Sequence, residues 1–129
     1  MTQIDIGELE KALAAFFANL AGTAVDAGAV PSTAAGGCAL RVASTTAGGF
    51  LEPSTYNCEL LVRRTAIDEC LAVCDMVQRC LPRFGGAAGD FRIVSIMSEN
   101  GVTVAQGSDR GSVCYLATMP VTVVATARS

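Results

Sequence analysis

The sequence predicts an α+β fold: a four-stranded, mainly antiparallel or mixed sheet with two helices packed on one face, in the order αββαββ. Two segments repeat apolar residues every three or four positions, three segments alternate apolar with other residues, and a fourth strand-like segment is apolar on both faces. The chain has 129 residues, of which 51% are hydrophobic and 16% charged. That length and composition suit one domain with its own core and exclude a disordered chain. Because no linker-like stretch divides the sequence, residues 1–129 are predicted to form one domain.

The first element is predicted to be a helix from about Ile6 to Leu20. Asp5 and Glu8 resemble a capping box at its start. Its apolar stripe has the spacing of one helical face and would cover one side of a sheet. The stripe residues are Ile6, Leu9, Leu13, Phe16, Phe17 and Leu20. The following residues, 23–37, are rich in Ala and Gly and are interpreted as a connection.

Two strands are predicted next, Cys38–Ser44 and Tyr56–Val62, because both alternate with period two. The segment between them, residues 45–55, is longer than a tight hairpin needs and carries Phe50 and Leu51. Long loops in small domains are often functional. The apolar pair either contacts another subunit or folds back on the core.

The second strand leads directly into a second predicted helix, Ile67–Leu81. Thr65 is the expected N-cap, with Asp68 near the first-turn amides, and Pro82 ends the helix. Its apolar stripe consists of Ile67, Cys70, Leu71, Cys74, Val77 and Leu81.

The C-terminal part predicts two further strands. Phe91–Met97 is apolar on both faces and is therefore expected inside the sheet. Residues 102–105 read as a short extended piece, and Gly107–Gly111 as a turn. Ser112–Ala125 is the longest strand, and Pro120 predicts that it lies at an edge or is bulged there, because proline cannot donate to a ladder.

The sheet face opposite the helices is predicted to be small and polar, with a few apolar residues. It would be open to water or would meet a neighbouring subunit. Its expected members are Arg41, Asn57, Glu59, Cys114, Thr118 and Thr122, with Leu61, Leu116 and Val124 among them.

The residue types argue against an enzyme and against catalytic, metal or cofactor sites. The sequence has no His, which removes the common Ser-His-Asp and Cys-His arrangements. Its six Cys form no C-x-x-C pair, and at least five of them stand where small hydrophobic residues fit. No phosphate-binding motif is present. The net charge of −3 gives no general attraction for nucleic acid.

The sequence also lacks the signs of targeting or membrane insertion. Asp5, Glu8 and Glu10 stand where a signal peptide would have its basic start and apolar run. Every apolar run is interrupted by Gly and Thr before it reaches the length of a membrane span. These features predict an intracellular protein with free thiols and no membrane partner.

The order of features from residue 56 onward resembles the siphophage tail terminators and the related minor capsid proteins of Gram-positive prophages. In that family a strand with Tyr near its start precedes a helix with an apolar stripe, another strand, a Gly- and Asp-containing turn and a long last strand. The corresponding segments here are Tyr56–Val62, Ile67–Leu81, Phe91–Met97, Gly107–Gly111 and Cys114–Val124. The sequence departs from the family at Met119-Pro120, where the family usually has an aromatic residue and no proline.

The resemblance implies a structural virion protein, assembled in the host cytoplasm, that acts as a tail terminator or head–tail joining protein. Such proteins form rings, commonly of six subunits, that join the tail tube to the head-closure proteins, and DNA passes through the lumen without being read. The residues assigned to the contact between subunits are Phe50, Leu51, Gly107, Asp109 and Arg110. Two other functions stay open: a small host α+β module that binds an apolar ligand, and a thiol-dependent enzyme using Cys80 or Cys114.

Overall fold

A computed structural model of the chain describes residues 6–22, 25–28, 37–46, 53–81, 86–89, 91–98, 101–109 and 112–127. The two helices are α1 (Ile6–Ala21) and α2 (Ile67–Cys80). The strands are β1 (Asp26–Ala27), β2 (Cys38–Thr46), β3 (Ser54–Arg64), β4 (Ala87–Ala88), β5 (Phe91–Met97), β6 (Thr103–Asp109) and β7 (Ser112–Ala127).

The predicted four-stranded sheet and the order αββαββ are therefore wrong. The described residues form one seven-stranded mixed sheet, in the chain order αβββαββββ. β1 and β4 have two residues each. β1 lies in residues 23–37, which the sequence pattern predicts as a connection, and β4 lies in residues 85–90, which it predicts as a turn. Two residues are too short to show a period, so no sequence pattern reveals them.

The sheet is organised around β7. Its strand order is β1-β2-β3-β7-β5-β4, and β6 also pairs with β7. β1 is parallel to β2, and the other pairs are antiparallel. β3 occupies one edge of β7, whereas β6 and β5 share the other edge, β6 along residues 112–118 and β5 along 122–127.

The expectation that Pro120 marks an edge strand or a bulge is wrong, because β7 has neighbours on both sides and no register shift at Pro120. The carbonyl of Pro120 accepts a hydrogen bond from Ser98 Oγ at 2.9 Å. In a strand the N–H and C=O of one residue point to the same edge, so the missing N–H of Pro120 falls in the gap between β6 and β5. No ladder hydrogen bond is lost there.

Both helices pack on one face of the sheet, and the sheet curves around α1. This helix contacts β1 and β2 near one end of the strand order and β4 at the other end. The approach to β4 is close, since a Cβ at Gly89 would lie 3.2 Å from the Ala12 Cβ. The two edges of the sheet therefore meet the same helix, and the core lies between them. Its buried residues include Leu9, Leu13, Phe17, Leu40, Leu60, Val62, Val77, Ile93, Ile96, Met119, Val121 and Val123.

The apolar stripe of α2 is only partly buried. Cys70, Cys74 and Val77 are in the core, but Ile67 and Leu71 are exposed. The expected cap is also wrong: the N-cap residue is Ala66 rather than Thr65, and no side chain caps the helix. The start of α2 relies on acidic first-turn residues, which favour the positive end of the helix dipole.

A β-bulge explains why the β5 segment is apolar on both faces. The register with β7 shifts between Ile93 and Ser95, and Val94 is exposed at that point. Because the extra residue resets the alternation, Ile93 and Ile96 both point into the core. As predicted, this strand lies inside the sheet, between β7 and β4.

Glu10 of α1 closes part of the outer edge of β2. Its Oε2 accepts a hydrogen bond from the backbone N–H of Val42 at 2.8 Å.

We expect Glu10→Ala to lower the free energy of unfolding by about 1–3 kcal/mol, because the partly buried N–H loses its acceptor. Glu10→Gln keeps an acceptor oxygen and is expected to cost less. Urea denaturation measures both, and an unchanged Glu10→Ala variant would contradict the role assigned to this contact.

Candidate functional site

The candidate site is the sheet face opposite the two described helices, which we call the outer face. Its members alternate with the core residues along β2, β3, β5 and β7. They include Ala39, Arg41, Asn57, Glu59, Leu61, Arg63, Met97, Cys114, Leu116, Thr118, Pro120, Thr122 and Val124. None of them belongs to the core cluster, so the structure places the nine residues predicted for this face where the alternation put them.

Two polar pairs lie at the β2–β3 side of the outer face, whereas the Nε of Arg63 on the same side is buried without a hydrogen-bond partner among the described residues. Arg41 Nη2 and Nε both lie 2.7 Å from Glu59 Oε1. Asn57 Nδ2 donates to Ser44 Oγ at 3.0 Å on the neighbouring row. An exposed ion pair contributes little to stability, about 1 kcal/mol at most. Its effect here is to neutralise the charge of this part of the face.

The remainder of the outer face is largely apolar and low in charge. Leu61 and Ala39 are paired across β3 and β2, and both are buried although α1 and α2 lie on the opposite face. The β7 row is uncharged and half-buried, and it consists of Leu116, Thr118, Pro120, Thr122 and Val124. Such a surface resembles the centre of a protein–protein interface, which is depleted in charge, more than a catalytic cleft.

Two of the five residues predicted for the subunit contact lie in the described part of the chain. Gly107 is an exposed residue of β6 that pairs with Cys114, and Asp109 ends that strand opposite Ser112. Phe50, Leu51 and Arg110 lie outside the described residues. The structure therefore places Gly107 and Asp109 on one strand and does not test whether the five act together.

The predicted turn at Gly107–Gly111 is wrong over its first part, since β6 runs through Gly107 to Asp109. Only residues 110–111 separate β6 from β7. Sequence reasoning missed this strand because Gly, Ser and Asp are typical turn residues. The sequence signal for this strand was the two-residue interval before Ser112, which ends in Gly111. Two-residue connections that contain Gly are typical of β-hairpins.

Burial keeps four of the core thiols protonated. Five of the six cysteines are buried and Cys80 is exposed. Four of the buried ones lie in the core cluster, as predicted, and the fifth, Cys114, is buried on the outer face. Burial raises the pKa of Cys58 to about 12 and that of Cys74 to about 11. Burial also raises the pKa of Cys38 and of Cys70. A thiol that stays protonated is a poor nucleophile.

The described ranges contain neither a candidate metal site nor a membrane-spanning helix. No group of three or more Cys, Asp or Glu side chains there is placed to hold a metal ion. Neither described helix has the length and apolar character needed to cross a bilayer.

Comparison with known proteins gives one informative result. No family model and no curated protein matches the sequence. The structure is similar to a solved chain described as "Virion of native gene transfer agent (GTA) particle", with a TM-score of 0.53 and 13% sequence identity. The two chains share a fold. The similarity covers 87% of this chain and 86% of the virion chain, so it extends over nearly all of both.

Proposed function

We propose that this chain is a structural protein of a phage-like virion. The observation that carries the proposal is the fold shared over 87% of the chain with a chain of a gene transfer agent virion. The more specific proposal is a tail terminator or head–tail joining protein, also called a minor capsid protein. In this role the subunits form a ring at the interface between tail and head.

The surface chemistry supports an assembly role. A ring of identical subunits uses heterologous contacts, in which one surface of a subunit meets a different surface of the next. The outer face, with its uncharged β7 row, is the surface we assign to one side of that contact. The tail tube and the head-closure proteins would bind the two ends of the ring. The net charge of −3 suits a lumen through which DNA passes without being held.

Native mass spectrometry of the full-length protein across a concentration series tests the ring. We expect one closed species, weakened by Met97→Glu on the outer face and unaffected by Met76→Glu on α2. The two methionines form a matched pair, 42% and 41% exposed. A charge buried at the contact should raise the dissociation constant at least about tenfold, which corresponds to about 1.4 kcal/mol.

Two results would contradict the ring. One is a monomer at the highest soluble concentration, which would favour the small ligand-binding module instead. The other is an equal response to Met97→Glu and Met76→Glu, with both variants folded by circular dichroism. Gene order gives an independent test of the virion role, because portal, head-closure and major tail genes are expected on either side.

A further inference from the structure

One edge of the sheet, along β6, carries a row of backbone groups with no partner among the described residues. β6 pairs with β7 on one side only, and no described strand lies on its other side. Thr103, Ala105, Gln106 and Gly107 are exposed. An unprotected edge of this kind is a template for pairing with another strand.

The register shows which β6 residues point outward. The carbonyl of Pro120 faces the edge of β7 that β5 and β6 share, because it accepts from Ser98. Backbone groups alternate along a strand, and β7 has no register shift from residue 112 to 120. The even-numbered residues of β7 therefore face β6 and bond to Thr103, Ala105, Gly107 and Asp109. The remaining β6 residues, Val104, Gln106 and Ser108, present their N–H and C=O groups to the open edge.

The other edges of the sheet are protected over part of their length. On β2, the backbone N–H of Gly28 donates to the Leu40 carbonyl at 2.7 Å, and the N–H of Val42 donates to Glu10. β1 covers the start of β2, and a register shift follows Val42. β5 has β4 beside it and its own bulge. β6 has neither a bulge nor a Pro or Lys, which are the usual means of protecting an edge.

We propose that β6 pairs with β6 of a second copy of this chain, antiparallel and about a two-fold axis at Gln106. Gln106 then bonds to Gln106 of the partner subunit, and Val104 bonds to Ser108 of the partner subunit. The three outward residues supply three donors and three acceptors, so the edge is complementary to itself. Asp109 is the charged residue of β6. In this register it lies six residues of strand, about 20 Å, from Asp109 of the partner subunit, so the two like charges do not meet.

Apolar residues beside the open edge favour a second copy as its occupant. Val113 is 50% exposed, and Tyr115 and Val104 are half-buried. Val113 is paired with Ser108, and Val104 with Ala117, so these residues share rows across the hairpin. In the two-fold pair Ser108 stands opposite Val104 of the partner subunit. One row of side chains then runs from Val113 of one subunit to Val104 and Ala117 of the other. The pairing covers apolar surface that the isolated chain exposes.

A proline at position 106 tests the pairing selectively. In Gln106→Pro the outward N–H is lost, whereas the bonds from β6 to β7 use other residues. Gln106→Val keeps the N–H and is the matched control. In sedimentation equilibrium we expect a dimer for the wild type and Gln106→Val, and a dissociation constant at least about a hundredfold higher for Gln106→Pro. An oligomer unaffected by Gln106→Pro, or a wild type that stays monomeric, would overturn the proposal.

Hydrogen exchange on the wild type gives a second readout that does not depend on a variant folding. The amides of Val104, Gln106 and Ser108 should become protected as the concentration rises through the dissociation constant. The amides of Ala105 and Gly107, which face β7, should be protected throughout. Fast exchange at Gln106 in an assembled state would exclude the contact.

The β6 contact does not rest on the proposed function, and the two can fail separately. A closed ring with fast-exchanging β6 amides would support the ring and overturn the β6 pairing. A dimer with protected β6 amides and no larger species would support the β6 pairing and overturn the ring. If both contacts form at once, native mass spectrometry should show an even-numbered assembly with dihedral symmetry. Its two ends would be equivalent, so it would be distinct from the ring proposed to join the tail to the head.

Discussion

Leu13→Ala is expected to lower the free energy of unfolding by about 2–5 kcal/mol, whereas Leu71→Ala should lower it by less than about 1 kcal/mol. Leu13 is 0% exposed, on the helix that both edges of the sheet contact. Its truncation leaves a cavity that the enclosing sheet cannot easily fill. Leu71 is 42% exposed on α2, so the same change mainly removes a partly solvated side chain.

Urea denaturation of both variants under the same conditions measures this difference. The denaturant slope should stay constant, because neither change alters how much surface unfolding exposes. Equal losses in the two variants would contradict the enclosed position of α1. The result also matters for assembly, since a subunit whose sheet opens around α1 presents a different outer face.

Raising the pH above 9 is expected to destabilise the protein through its buried thiols. Burial raises the pKa of Cys58 from its ordinary value of 9.0 to about 12, and that of Cys74 to about 11. The unfolded chain loses these protons near pH 9 while the folded chain keeps them. Stability is therefore complete below pH 9 and falls as the pH rises toward 11–12, by about 1.4 kcal/mol per pH unit for each thiol.

Cys58→Val provides the control for this titration, because Val fits a buried strand position and does not ionise. Above pH 9 the wild type should lose about 1.4 kcal/mol of unfolding free energy per pH unit relative to Cys58→Val. Any advantage of the wild type at pH 7 should therefore narrow or reverse. Denaturation curves from pH 7 to 11 measure it. Parallel pH profiles for the two proteins would show that Cys58 is not buried as a neutral thiol.

Sequence periodicity predicted the elements long enough to show a pattern. Both helices, and the strands β2, β3, β5 and β7, lie where the alternation placed them, with changed ends. It failed at β6, where Gly107 and Asp109 looked like turn residues although the strand continues through them. It also failed at Ile67 and Leu71, which follow the apolar stripe of α2 but are exposed.

The composition of the candidate site was predictable, but its boundaries were not. Alternation placed Thr118 and Thr122 opposite the core, because successive strand residues point to opposite faces whatever their neighbours are. Nothing local to β7 shows that β5 and β6 divide one of its edges at Pro120. The sequence therefore suggested that Pro120 lies in an edge strand. In the structure it lies in β7, which has neighbours on both sides.

The sequence by itself determined which face of β2, β3 and β7 meets the core, since that depends on a period read within one segment. Only the tertiary structure decided the strand order, the closure of the β2 edge by Glu10 and the open edge at β6. These features depend on which distant segments meet: Glu10 and Val42 are 32 residues apart, and Ser98 and Pro120 are 22 apart. The first bond forms because α1 packs against β2, and the second because β5 lies beside β7. No local pattern predicts either pairing.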